Sequence, residues 1–514
     1  MRLLRSSPHL DRDARDAIRR WTGLILGIAC WALSPGAAGA GAGETPPRPP
    51  NIILINADNL GYGDLGVYGS RIHRTPRIDR LAAEGIRFTD FYAASPVCTS
   101  SRAALLTGSY PRRNGMHEFD WDGSVLRPVS PYGLHPDEIT LARLLRGRGY
   151  ATACLGKWHL GDQNAFLPPA HGFDHFLGLL YSDEMDNSYT AYRWPPMPLM
   201  LNDRVIEAPA KLETMTRRYT EEAQRLIREN RDRPFFIYLP HMSPGSRTDP
   251  IAGTEFQGTS RNGKYGDTIE ELDWSTGAIL DTLDEVGLRD RTLVIWTADN
   301  GAPPPRGTKH HGSFAPLAPR ARYDAAEGGL RVPFIARWPG RIPAGVVNAE
   351  IATNMDLFTT LARLGGADIP RDRIIDGRDI LPLLRNEPGA KSPHEAFFYY
   401  FGGQLQAVRS GKWKLILPLE RPVVQLGMGQ LGVSASGRPN RLVGSPVPAR
   451  LYDLATDIGE KQELSAEHPA VVARLLELAE KARHDIGDLD RPGRNERPPG
   501  KVANPKPQVL GQRQ

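Results

Sequence analysis

The sequence predicts an α/β protein: a large, mostly parallel sheet flanked by helices, with a smaller C-terminal α+β domain of antiparallel strands and one long helix. Three observations predict it. Apolar, β-branched runs such as NIILINADN (51–59) and RTLVIWTADNG (291–301) have the composition of strands buried on both faces. Helical spacing fills the stretches between such runs, and strand–helix alternation is the mark of a parallel sheet. From about residue 391 the pattern changes to short, closely spaced strands followed by an amphipathic helix.

Taken in chain order, the first segment reads as a signal peptide over residues 1–40. Arg2, Arg5, Arg12, Arg15, Arg19 and Arg20 form a positive leader, and TGLILGIACWAL (22–33) is an apolar core too short to span a bilayer. Ala38-Gly39-Ala40 offers small residues for cleavage, and Arg19-Arg20-Trp21 resembles a twin-arginine signal weakly. The expectation is export, to a periplasm or outside the cell, with no stable membrane insertion once the segment is removed. Residues 41–50 read as a Pro-rich linker.

The span 51–390 reads as the catalytic domain. Its strands end abruptly in polar residues: the first at Asp58 and Asn59, YATACLGKWHLG (150–161) at Lys157 and His159, PFFIYLPH (234–241) at His241, and the last at Asp299 and Asn300. Helices are expected over 75–85, 137–149 and 267–287. A single polar strand end is most simply a turn or a cap. Four together point to a site, because open parallel sheets bind ligands beyond the carboxyl ends of their strands. Residues 391–490 read as the C-terminal subdomain, with HPAVVARLLELAEKARHDI (468–486) as its helix, and 491–514 as an irregular tail.

With 40% apolar and 24% charged residues the chain is of ordinary globular composition, which excludes disordered and low-complexity classes. The net charge of +5 is mild and no dense Lys/Arg run occurs, so nucleic acid is not an expected partner. There are three cysteines, and removal of the leader leaves Cys98 and Cys154.

Cys98 lies in PVCTSSRAALLTG (96–108), where SSRAALLTG has helix-forming residues and a terminal glycine. It should therefore sit at a helix N-terminus, where free N–H groups favour an anion. Arg102, one turn on, adds a planar fork suited to a tetrahedral oxyanion.

CTSSRAALLTG resembles the signature of the formylglycine-dependent, or type I, sulfatases, written C-x-P-S-R-x-x-x-L-T-G. NIILINADNLGYGDLGVYG, CLGKWHLG, HGFDHFLGLLYSDEMD, WTADNG, EGGLRVPFIARWPG and AVRSGKWKL are also similar to family segments, in family order and across nearly the whole chain after the leader. The similarity is strongest to arylsulfatases of the arylsulfatase A type. The resemblance implies an alkaline-phosphatase-like fold and hydrolysis of sulfate monoesters. It implies that a formylglycine-generating enzyme oxidises Cys98, and that one hydroxyl of the resulting aldehyde hydrate attacks sulfur. It implies Ca²⁺, with Mg²⁺ as the alternative, held by Asp58, Asn59, Asp299, Asn300 and the oxygen derived from Cys98. These are oxygen donors, as Ca²⁺ prefers. Arg102 corresponds to the residue that steadies this group, Lys157 and His159 to the pair that binds sulfate and moves a proton, and Ser182 to a sulfate contact.

Four positions depart from the family pattern. The proline two residues after the cysteine is Ser100. The second acidic metal ligand is Asn59. A histidine that contacts sulfate and the leaving oxygen aligns with Gly245, with His241 as a nearby candidate to replace it. A lysine aligns with Arg322. The last two weaken leaving-group protonation, so activity should favour activated aryl esters or be weak. Two further readings stay open: a phosphate or phosphonate ester hydrolase of the same superfamily, and a degenerate, non-catalytic binding protein. Trp121, Tyr192 and Trp194 are candidates to stack on a substrate ring.

Overall fold

The computed structural model describes residues 48–119, 125–187, 194–304, 311–318, 325–420, 423–424, 442–443 and 445–511. The expected signal peptide and nearly all of the linker lie outside these residues.

Ten strands form the main sheet: β1 (Asn51–Asp58), β2 (Ile86–Phe88), β3 (Ala151–Leu155), β4 (His175–Leu179), β5 (Leu199–Leu201), β6 (Arg204–Glu207), β7 (Phe235–Pro244), β8 (Thr292–Ala298), β9 (Phe334–Arg337) and β10 (Val346–Asn348). Their order is β10-β2-β9-β8-β1-β7-β3-β4-β5-β6. The central run β8-β1-β7-β3-β4 is parallel throughout, which matches the apolar runs read from the sequence. β1 lies in the middle and all eight of its residues are buried. Antiparallel pairings, β8 with β9 and β4 with β5, begin the two wings.

Helices α1 (Pro76–Ala83), α2 (Cys98–Thr107), α3 (Leu141–Arg146), α4 (Met215–Glu229), α5 (Gly263–Glu285) and α6 (Asp356–Leu364) cover the sheet. α5 packs against α1 and α4, while α2, α3 and α6 pack against one another. α3 starts later than the apolar spacing suggests because the Thr140 hydroxyl accepts from the Arg143 N–H and caps the helix there. α2 ends at Gly108, whose φ of 67° is the left-handed cap expected of it.

The C-terminal region forms a four-stranded antiparallel sheet, β11 (Phe397–Phe401), β12 (Gln404–Ser410), β13 (Trp413–Ile416) and β14 (Arg450–Asp453). The long helix α7 (Pro469–Asp485) packs on β12 and β13. Its Leu475, Leu478, Ala479 and Ala482 join Tyr399, Leu405 and Leu415 in a second core, which also takes Tyr92 and Leu330 from the sheet domain. The tail has little regular structure but returns to the sheet domain: Gly500–Lys501 pairs with Tyr132–Gly133, and the Gln508 amide donates to the Asp162 carbonyl. No described helix is long and apolar enough to cross a membrane.

Candidate active site

The parallel register of β1 and β8 aligns Ala57 with Ala298. Each strand then ends in Asp-Asn, so the two pairs emerge side by side. The Asn59 N–H donates to Asp299 Oδ1 at 3.0 Å, and Asn59 takes φ 60°. All four side chains are buried.

Cys98 is the first residue of α2, as the local pattern predicts, and is only 2% exposed. Its Sγ lies 3.6 Å from Asn59 Oδ1. Sγ and carboxylate oxygens of Asp58 and Asp299 lie within 4.8 Å of one another, close enough to share one cation. Cys98 and Cys154 are both buried thiols. The N-terminal turn of α2 is fixed from outside: Ser101 Oγ donates to the Asp299 carbonyl, and Asn354 Nδ2 donates to Ser101 Oγ at 2.9 Å.

Arg102 joins three elements. Its Nε donates to Asp299 Oδ2 at 2.9 Å, its Nη2 to Asp58 Oδ1 at 2.9 Å and its Nη1 to the Lys157 carbonyl at 2.7 Å. Lys157, on the β3 strand end, donates Nζ to Asp58 Oδ1 at 2.7 Å and to Ser182 Oγ at 2.9 Å. Two buried cations thus face two buried carboxylates, and the charges set each other's protonation. Burial alone would raise the Asp58 carboxyl, but Lys157 and Arg102 hold it below the usual range. Asp299 is pushed up by burial and by the Asp58 charge. Burial disfavours charge on Lys157 too, yet Asp58 keeps it protonated.

His159 also has left-handed backbone, φ 59°. Its Nε2 lies 2.9 Å from the Leu126 carbonyl, which makes that nitrogen the donor and leaves Nδ1 with a free lone pair. Nδ1 is buried and has no partner among the described residues. Burial, with Lys157 and Arg102 beside it, drives the His159 pKa well down, which favours the neutral ring.

Asp58, Asn59, Cys98, Arg102, Lys157, Ser182, Asp299 and Asn300 therefore form one hydrogen-bonded cluster, with His159 on the strand end that carries Lys157. His241 does not join it. The pairing of β1 with β7 jumps from Asn56↔Pro240 to Asp58↔Pro244, so residues 241–243 bulge out of register. The His241 ring turns to α5, its Nε2 3.3 Å from Ser275 Oγ, and burial lowers its pKa to about 3. His241 therefore faces α5 rather than the hydrogen-bonded cluster. Arg322, Trp121 and Tyr192 lie outside the described residues, and Trp194 packs against the main core.

Two residues at the site carry no signal in the sequence pattern. Ser246 Oγ accepts from Asn59 Nδ2 at 2.8 Å, and the Ser246 N–H donates to Asp183 Oδ1 at 3.1 Å. Gly245, between the bulge and Ser246, has φ 84°, and a Cβ there would run into the Asp183 carboxylate. Ser100 fits without strain, its hydroxyl donating to the Met116 carbonyl at 2.8 Å.

The chain matches the Sulfatase family over residues 50–367 and the C-terminal region of aryl-sulfatase over 392–497. It is 38% identical over 499 residues to steryl-sulfatase of Mus musculus, covering 82% of this chain and 79% of that one. It is 39% identical over 463 residues to arylsulfatase A of Bos taurus, covering 85% and 87%. Among solved structures it resembles the PsFucS1 sulfatase from Pseudoalteromonas sp., with a TM-score of 0.73, 26% identity and coverage of 88% of this chain and 92% of that one. The sheet, the cluster at its strand ends and the kinship along the chain agree: this enzyme belongs to the type I sulfatases of the alkaline-phosphatase-like superfamily and hydrolyses sulfate esters.

Proposed function

We propose that the protein is an exported arylsulfatase-type hydrolase that acts through formylglycine made from Cys98 and through Ca²⁺ bound between the two Asp-Asn pairs. The observation that carries this reading is the fork of Arg102, which bridges Asp58 and Asp299 around the N-terminus of α2, where Cys98 sits.

The donor set suits a hard cation. Asp58 and Asp299 supply carboxylates and Asn59 an amide oxygen; Asn300 Oδ1 is buried without a partner among the described residues. An orphaned oxygen at such a place needs an explanation, and a cation supplies one. Asp58, Asn59, Asp299 and Asn300 would hold the ion, with the Cys98-derived oxygen. When bound, Ca²⁺ draws charge from a sulfate oxygen and makes a nearby hydroxyl more acidic. Formylglycine at position 98 would supply, as its hydrate, one hydroxyl to attack sulfur and a second whose deprotonation would release sulfate.

The chain's own groups do the rest. Arg102 and Lys157 stay charged and face the anionic ester. Lys157 and Ser182 orient it. His159 Nδ1 takes the proton, its tautomer fixed by the bond to Leu126. Gly245 stands where the family pattern has a histidine and carries no imidazole itself, which supports a preference for activated aryl esters. A formylglycine-generating enzyme is the maturation partner, and no nucleic acid is involved.

A tryptic mass spectrum of the Cys98 peptide, from protein made in its own host, tests the reading. The expected result is a peptide lighter by the exchange of H₂S for water and loss of H₂, together with hydrolysis of 4-nitrophenyl sulfate that Cys98→Ala abolishes. An unmodified thiol in active protein would overturn the formylglycine route.

A further inference from the structure

A carboxylate and an amide differ as cation ligands. A carboxylate presents oxygen whichever way it turns, whereas an amide presents oxygen on one side and NH₂ on the other. With Asn59 where the family pattern has an acid, something must hold the amide so that oxygen, not nitrogen, faces the ion.

The surroundings of Asn59 do this asymmetrically. Its Nδ2 donates to Asp58 Oδ2 at 2.9 Å and to Ser246 Oγ at 2.8 Å, two acceptors on one side. Its Oδ1 faces the other way, toward Asn300 Nδ2 at 2.6 Å and Cys98 Sγ at 3.6 Å. Turned over, the amide would set carbonyl against the Asp58 carboxylate and NH₂ against the Asn300 NH₂. Asp58 would also be engaged by the ion, whereas Ser246 Oγ is a neutral acceptor that stays on the NH₂.

Ser246 is itself placed by the bulge that diverts His241. The Gly245 N–H donates to the Asp58 carbonyl at 3.1 Å and the Ser246 N–H to Asp183 Oδ1 at 3.1 Å. Asp183 Oδ1 also accepts from Ser182 Oγ at 3.4 Å, and Ser182 in turn accepts from Lys157. A ring of contacts therefore runs Asp58–Lys157–Ser182–Asp183–Ser246–Asn59 and back to Asp58.

We propose that Ser246, held by Asp183, is a positioning residue that locks the Asn59 amide with Oδ1 toward the cation site, so that Asn59 and Ser246 work as a pair. The inference rests on the calcium reading above. Its signature is conditional: Ser246 matters while residue 59 is an amide and ceases to matter when residue 59 is a carboxylate.

The test is calorimetric titration of CaCl₂ into the full chain stripped with EDTA, with circular dichroism to confirm folding. Ser246→Ala should weaken calcium binding by about 10–100-fold, the usual effect of removing a group that orients a ligand. Ser246→Thr, which keeps the hydroxyl, should restore it. Asn59→Asp should bind more tightly than the wild type, and adding Ser246→Ala to Asn59→Asp should cost little. Equal losses in both backgrounds would make Ser246 merely structural and overturn the inference. Wild-type binding that Ser246→Ala leaves intact would overturn it while the calcium reading stands. A wild-type chain that binds no calcium would overturn both.

Discussion

Asn59 and His159 are non-glycine residues held at φ 60° and 59°, each at the polar end of a central parallel strand. Such backbone is costly for an L-residue and persists where the surroundings over-determine it. Here the determinants are visible: the Asn59 N–H is tied to Asp299, and His159 to Leu126. Gly245 completes the set with φ 84°, but a Cβ there has no space because Asp183 fills it. Gly245→Ala should therefore destabilise the fold by about 1–3 kcal/mol from backbone strain alone, with more from displacement of Asp183. Urea denaturation at neutral pH measures this. Reinstating an imidazole through Gly245→His should fail to restore leaving-group assistance for the same reason. A stable, more active Gly245→His would sink the argument.

At the scale of elements, strand ends were legible and their interruptions were not. Asp58, Lys157, His159 and Asp299 could be assigned to one face because an apolar run that stops in polar residues is a local pattern. His241 follows the same pattern but lies off the cluster, because a bulge changes side-chain direction without changing composition. Ser246 was invisible for the converse reason: its place beside Asn59 depends on that bulge. The outer strands β2, β5, β6, β9 and β10 also escaped, being three or four residues long with little periodicity. The tail illustrates a further limit. Its Pro- and Arg-rich composition predicts irregular structure, which is largely so, yet Gly500–Lys501 pairs with Tyr132–Gly133 and the Val502 N–H donates to the Pro131 carbonyl. Those residues belong to the loop whose Leu126 carbonyl holds His159. Deleting residues 499–514 should leave the melting transition cooperative, open the loop to limited trypsin cleavage near Arg127, and lower kcat several-fold with little change in KM. Unchanged cleavage and kcat would show that the loop holds itself.

A buried charge network joins the sheet domain to the C-terminal sheet. Glu327 accepts from Tyr92 Oη at 2.6 Å, Tyr399 Oη at 2.7 Å and Lys414 Nζ at 2.9 Å, and pairs with Arg331 at 3.3 Å. Asp90 pairs with Arg331 at 2.8 Å and Arg409 at 2.6 Å, and Lys414 with Glu460 at 2.8 Å. Three acids thus meet three bases. Lys414 and Arg409 come from the C-terminal sheet, and Arg331 and Asp90 from the sheet domain. Burying charges is costly, so the network need not add net stability over an apolar contact, but removing one member leaves an uncompensated charge. Glu327→Gln should cost about 3–5 kcal/mol at neutral pH, whereas Arg146→Ala, which breaks a surface pair with Asp174, should cost almost nothing. The pH dependence follows from the sign of the shift. Burial opposes ionisation of Glu327, but Lys414, Arg331 and Arg409 prevail and hold its pKa below the ordinary value. A carboxylate depressed in the folded state stabilises above its unfolded pKa, about 4.3, and loses that stabilisation as pH falls further. The difference between wild type and Glu327→Gln, followed by chemical denaturation from pH 7 downward, should therefore stay constant to about pH 4.3 and then narrow. A difference that stayed constant below that pH would mean that the Glu327 charge is not what joins the two parts.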